Sequence, residues 1–320
     1  MRPFHPFFRN RHLSTLAGNF WPRNYRRRAF PEVRRWFETE PEVAVLGVEQ
    51  SPGRTAEARL ILLHGLEGSD QSGYLRSLAQ TALEAGFAVT RLNMRTCGGS
   101  ESRCPTLYHA GLTSDLRSVL LDYARFSSER LYLVGFSLGG NVVLKLAGEM
   151  GDALPARGLV AVSTPIDLDA CCRQMQRFEN RLYEWRFVER LKARYRRRCA
   201  DYPERYRLED LDGIRSVYDF DDRITAPHFA FGTAENYYRT QSSQIFLPQI
   251  RLPTLLVQAE DDPLIPFRVF EQAAIRRNPA LELLAVPHGG HVGFVSRRLP
   301  RFWVDAVILD WILAQEPARP

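Results

Sequence analysis

Leu131-Tyr132-Leu133-Val134-Gly135-Phe136-Ser137-Leu138-Gly139-Gly140-Asn141-Val142-Val143 begins with one kind of secondary structure and ends with another. Leu131 to Val134 is an unbroken apolar run of the kind a strand buried on both faces shows. Leu138, Val142, Val143, Leu146 and Ala147 recur at helical spacing. Ser137 therefore sits on a strand-to-helix turn, inside the pattern G-x-S-x-G. Gly135 and Gly139 let the chain turn sharply without Cβ clashes. The hydroxyl is pushed out of the sheet, and a helix N-terminus faces whatever oxygen reacts there. A Gly-rich turn that only packs a helix onto a sheet has the same letters, so the rest of the chain has to decide.

A serine hydroxyl needs a base, and the base needs an orienting carboxylate. After a serine elbow of this kind they follow in the order acid, then histidine. Thr254-Leu255-Leu256-Val257-Gln258-Ala259 reads as a buried strand, and Glu260-Asp261-Asp262-Pro263 follows it. The carboxylates thus fall at a strand's carboxyl end, where open α/β sheets place their sites. Asp262 is the expected acid, because a residue before proline is held extended; Asp261 is second, and Asp261 and Glu260 also read as a solvated turn or helix cap. Leu281–Val286 is the next strand and ends in Pro287-His288-Gly289-Gly290-His291. His291, after two glycines, is the expected base, and His288 is read as structural. His5, His12 and His228 precede the acid and receive no role.

An oxyanion hole needs two backbone donors. Leu138, after the serine, is one; Leu66, in His64-Gly65-Leu66-Glu67-Gly68 after the strand Leu60–Leu63, is the other. His64 shapes that loop rather than moving protons.

Together these segments resemble the YheT-type branch of the α/β-hydrolases, related to plant embryogenesis-associated proteins and some eukaryotic lipases. The resemblance rests on His64–Ser69, Asn93-Met94-Arg95-Thr96-Cys97-Gly98-Gly99-Ser100, Tyr108-His109-Ala110-Gly111, Gly135–Asn141, Asp261-Asp262-Pro263 and His288–Phe294, with Arg9–Leu16 as a matching N-terminal segment. It spans nearly the whole chain. It implies an α/β-hydrolase fold, a mostly parallel sheet flanked by helices, with Ser137, Asp262 and His291 as triad. It implies a carboxylic-ester hydrolase acting on short- or medium-chain esters or acylglycerols.

Length and composition fit that frame. The 320 residues suit one α/β domain with an insertion. Strands and helices alternate from about 43 to 165. Residues 168–248 hold no convincing strand and read as an inserted helical cap, in which Met175, Phe178, Leu182, Trp185, Val188, Leu191 and Tyr195 predict one long amphipathic helix. The cap's aromatics, Tyr237 and Tyr238 among them, either wall an acyl pocket or form the cap's own core. Residues 1–40 read as a basic, aromatic extension packed on the domain. A final helix is expected at about 301–314.

No run approaches the ~20 apolar residues of a membrane span, and the N-terminus has no apolar signal core. Five cysteines without a C-x-x-C pair argue for a reducing compartment, hence a cytoplasmic expectation. Neither zinc spacing nor a phosphate-binding glycine loop is present, so no cofactor is expected. The net charge is +6, with Lys145 and Lys192 the only lysines. Arg9, Arg11, Arg23, Arg26, Arg27, Arg28, Arg34 and Arg35 read as a solvated face, with peripheral membrane contact the alternative. Nucleic acid is disfavoured for want of a recognition motif. The rival functions are acyl transfer to an alcohol by the same triad, and a non-catalytic scaffold that binds a partner or membrane.

Overall fold

The apolar runs pair side by side into one sheet in a computed structural model that describes residues 2–23, 30–53 and 55–316. Its strands are β1 (Val33–Glu40), β2 (Val43–Gln50), β3 (Ala58–Leu63), β4 (Ala88–Leu92), β5 (Arg130–Phe136), β6 (Gly158–Val162), β7 (Thr254–Ala259) and β8 (Leu281–Val286). Their spatial order is β1-β2-β4-β3-β5-β6-β7-β8. β1 and β2 run antiparallel to their neighbours, and the strands from β4 to β8 are mutually parallel. The chain steps outward from β3 to β4 and then crosses back to β5 on the other side of β3. The winding direction reverses between β3 and β5, which is where open α/β sheets form their ligand crevice.

The helices used below are α1 (Arg11–Phe20), α2 (Gly73–Ala85), α3 (Ser114–Phe126), α4 (Leu138–Met150), α5 (Leu168–Met175), α6 (Arg181–Asp201), α7 (Ala234–Gln241) and α8 (Trp303–Gln315). Alternation along the strands sorts the core into two layers. Leu60, Leu62, Val134 and Val160 face α2 and α8, whereas Ile61, Leu63, Leu133 and Ala161 face α3 and α4. β3 and β5 are buried on both faces, as their unbroken apolar runs require.

Two elements differ from the sequence reading. The end of the N-terminal segment, residues 33–40, is the sheet's edge strand and not part of an appended extension. Its letters, Val33-Arg34-Arg35-Trp36-Phe37-Glu38-Thr39-Glu40, hide this because only Phe37 is buried in the core. The long helix expected from Met175 to Tyr195 is broken: α5 ends at Met175, a 3-10 turn spans Phe178–Asn180, and α6 begins at Arg181. Asn180 supplies the break. Its buried amide donates to Gln174 O at 2.9 Å and to Pro263 O at 2.6 Å, tying the turn to the loop after β7. Arg26, Arg27 and Arg28 lie outside the described residues.

Candidate active site

Ser137 ends the β5 turn with φ 51° and ψ −122°. A side chain at positive φ costs about 1–3 kcal/mol and persists only where its surroundings enforce it. Here they do. The Ser137 N–H donates to Val162 O at 2.8 Å. A Cβ on Gly135 would lie 2.4 Å from Gly139 O, and one on Gly139 would lie 2.5 Å from His64 O. Strand, elbow and the loop after β3 are therefore in backbone contact, and only glycine allows it.

The loop after β8 brings His291 over this turn. Its Nε2 lies 3.0 Å from Ser137 Oγ, and its Nδ1 lies 2.9 Å from Asp262 Oδ2. Asp262 has no exposed side-chain surface. Its Oδ1 accepts from the Leu264 and Ile265 N–H groups at 2.9 and 3.1 Å, and its Oδ2 also faces Gln258 Nε2 at 3.3 Å. A carboxylate so supplied with donors only accepts, so the proton of the imidazole sits on Nδ1. Nε2 is then the acceptor that faces the serine hydroxyl.

Asp261 points elsewhere. Its carboxylate lies 3.2 Å from His288 Nδ1 and accepts from Gly290 N–H at 2.9 Å, bracing the glycine loop that carries His291. His64 is fully buried between Gly65 O and Met94 N–H, and burial pulls its pKa down to about 4. It is a neutral strut beneath the Leu66 loop.

The N–H groups of Leu66 and Leu138 have no acceptor among the described residues, and both residues line the cavity that contains Ser137. Among those residues no group of three or more His, Cys, Asp or Glu side chains could hold a metal ion.

Two supports were not legible in the sequence. The first is α1. Thr15 Oγ1 accepts from His291 N–H at 2.9 Å, and Gly18 packs so closely that a Cβ would lie 2.5 Å from Gly293 Cα. The motif Arg9–Leu16 marked the segment but not this task. The second is Arg194 on α6, one arginine among many in the cap. It is 3% exposed, pairs with Glu67 at 2.6 Å, and lies 4.3 Å from the centre of the Tyr108 ring. Tyr108 in turn donates to Glu67 and accepts its N–H, each at 3.1 Å. Glu67, at φ 56°, is the residue after Leu66. The cap thus clamps the loop that presents the Leu66 N–H. Arg194→Met leaves that carboxylate buried and unpaired, a change that typically costs about 3–5 kcal/mol. If the Leu66 N–H is an oxyanion donor, kcat should fall by about tenfold to a hundredfold with KM changed less than about threefold, since such a donor acts on the transition state. Steady-state kinetics on a soluble ester checks this.

Ser137 opens onto two spaces. One, with a cavity volume of about 100 Å³, runs under the cap between Leu138, Met175, Phe187, Leu191, Val217 and Tyr238. Tyr237 and Tyr238, buried, belong both to the cap's core and to this wall. Cys171 and Cys172 also line it; burial pushes the Cys172 thiol up to about 12. All five cysteines are free. The other space, with a cavity volume of about 160 Å³, lies between α1 and α6 and is lined by Leu16, Asn19, Tyr74, Arg186 and Arg190.

A buried carboxyl group also stands in the wall of the first space. A π-helical turn, Asp221–Thr225, sets the Asp221 carboxyl between the Thr225 and Tyr238 hydroxyls, each at 2.7 Å. Burial raises its pKa to about 6 from an ordinary 3.8. Between those pH values the folded protein holds a proton that the unfolded chain has released, so stability falls as pH rises through this window. Asp221→Asn removes that cost. It should raise Tm at pH 8 and change it far less at pH 4, where the folded carboxyl keeps its proton; calorimetry at the two pH values checks the sign.

Residues 58–297 match the family described as alpha/beta hydrolase fold. Among curated proteins, YheT of Escherichia coli is 34% identical over 320 residues, covering 98% of this chain and 93% of its own. The monoacylglycerol lipase of Saccharomyces cerevisiae is 32% identical over 258 residues, covering 78% of this chain and 57% of its own. Among solved structures, the Pyrococcus furiosus esterase Pf2001 superposes with a TM-score of 0.60 at 18% identity, over 89% of this chain and 93% of that one. That last likeness is one of fold.

Proposed function

This chain belongs to the α/β-hydrolase family, in the branch that includes YheT, and from that premise we propose that it cleaves carboxylic esters by two-step acyl transfer on Ser137. The observation that carries the reading is His291, within hydrogen-bond distance of both Ser137 and Asp262. Ser137 Oγ attacks the ester carbonyl while His291 Nε2 takes its proton. Asp262 holds the ring and balances the charge it gains. The oxyanion falls between the Leu66 and Leu138 N–H groups, which need no reorganisation to receive it. His291 then returns the proton to the departing alcohol. Water, activated by the same nitrogen, releases the acid from the acyl-enzyme. No step calls for a cofactor.

The apolar space under the cap suits the acyl chain, and the space between α1 and α6 suits the alcohol half. The substrate is accordingly a short- or medium-chain ester or a monoacylglycerol. The S. cerevisiae relative is named for that second class. A nitrophenyl-ester series from two to sixteen carbons, extended to monoacylglycerols, tests this. Turnover is expected to peak at short or medium chains. A folded sample that hydrolyses no ester in the series contradicts the reading.

A second reading is supported by the separate alcohol space, which gives an acceptor alcohol room beside the acyl-enzyme. Ester formation in added ethanol or glycerol would favour acyl transfer, and free acid alone would dismiss it.

A further inference from the structure

α1 packs inside out. It buries Ser14, Thr15 and Gly18 and turns Leu13, Leu16 and Phe20 to solvent, at 49%, 43% and 63% exposure. The inversion has a cause: the small residues must face the His291 loop, which approaches to backbone contact at Gly293. The apolar side chains are left outside. Beside it the first half of the cap stripe is also unburied. Phe178, Leu182 and Trp185 stand 75%, 69% and 61% exposed, while Val188, Leu191 and Tyr195 of the same stripe are in the core.

The two strips adjoin. His12 Nδ1 lies 3.2 Å from the Tyr183 hydroxyl, Arg11 pairs with Glu179 at 3.5 Å, and the Arg186 guanidinium lies 5.8 Å from the Phe20 ring centre. Between the helices opens the second space, with Ser137 and His291 at its floor. Arg186 and Arg190 line this space, and Arg9, Arg177 and Arg181 sit just before or at the N-terminal ends of the two helices. All five are exposed, and none makes an ion pair among the described residues. Arg181 lies 4.3 Å from the Phe178 ring centre, apolar stem and cationic head together.

We propose that this face, α1 with the Phe178–Arg190 segment, docks on an anionic lipid surface and sets the mouth of the active site against it. Exposed apolar patches of this kind mark interaction sites. Apolar side chains that enter the acyl boundary, ringed by arginine that meets anionic headgroups, are the chemistry of an interfacial helix. Charge complementarity argues against a second copy of the chain, since a two-fold contact would set this arginine cluster against itself. Delivery of substrate from the lipid rests on the ester reading above; the docking does not.

The test uses the Ser137→Ala protein, so that vesicle binding is measured without turnover. Cosedimentation compares vesicles of phosphatidylcholine with vesicles of seven parts phosphatidylcholine to three of phosphatidylglycerol. Partitioning onto the anionic vesicles should exceed that onto the neutral ones by at least about tenfold and weaken in 0.5 M salt. In the same background Leu13→Ser/Leu182→Ser/Trp185→Ser should lose at least about tenfold in partitioning. With Ser137 restored, the triple variant should hydrolyse soluble nitrophenyl butyrate within about twofold of the natural chain. Equal binding to both vesicle types, no binding, or a triple variant that binds as well as its parent overturns the proposal. So does sedimentation showing a dimer that the triple variant converts to monomer, because the face would then pair copies.

Discussion

Replacing Ser137 with alanine should lower turnover of a soluble ester by about 10⁶, by the measure of other serine-hydrolase triads, with little loss of thermal stability. Among the described residues the hydroxyl makes one hydrogen bond, to His291 Nε2. Losing one such bond costs about 1 kcal/mol at most where the partner remains open to water. Alanine keeps the Cβ, so the positive φ at 137 is neither relieved nor worsened. What remains is an oxyanion hole with no nucleophile before it. Ser137→Gly is the informative companion. It should be equally inactive yet more stable than the alanine variant by about 1–3 kcal/mol, because glycine releases the strain of the turn. Thermal denaturation of the two variants checks this. A glycine variant no more stable than the alanine one would show that the turn is not strained.

Asp262→Asn should lower kcat by about 10⁴ at neutral pH. Oδ1 receives the Leu264 and Ile265 N–H groups, so an asparagine must keep its oxygen there. Its NH₂ group then faces His291 Nδ1, where the carboxylate stood. Two donors cannot face each other, so the imidazole moves its proton to Nε2. That nitrogen then donates to Ser137 and is no longer a base. The shape of the site is kept while its proton inventory is reversed. Asp261→Asn should cost less than about tenfold, since Asp261 holds His288 and Gly290 rather than the base. Comparable losses in the two variants, measured as kcat on one ester, would mean that the acid had been assigned to the wrong neighbour.

Much of this site can be read from the chain because its chemistry sits directly after strands. Ser137, Asp262 and the Leu66 loop each follow a mostly apolar strand of six or seven residues, and burial on both faces makes such strands conspicuous. His291 needed the glycines before it. The resemblance to a known family added a second, independent reason for the same residues. What the chain concealed depended on partners distant in sequence. β1 reads as a charged segment because an edge strand with one buried aromatic has almost no apolar signature. The break at Asn180 is set by a carbonyl of Pro263, 83 residues away. The apolar spacing from Met175 to Tyr195 was real, but periodicity says which residues share a face and not what that face meets. Val188 and Leu191 meet the core, whereas Leu182 and Trp185 meet solvent. The role of α1 was hidden for the opposite reason. Its buried face is serine, threonine and glycine, the reverse of what an amphipathic pattern leads one to expect.

The proposed function stands or falls on the hydroxyl at position 137 being an activated nucleophile. A fluorophosphonate reagent followed by intact and peptide mass spectrometry tests it most directly. An activated Ser137 gives one adduct per chain, with Asp262→Asn slowing its formation and Ser137→Ala abolishing it. A folded, unlabelled chain, or an adduct on any other residue, would contradict it.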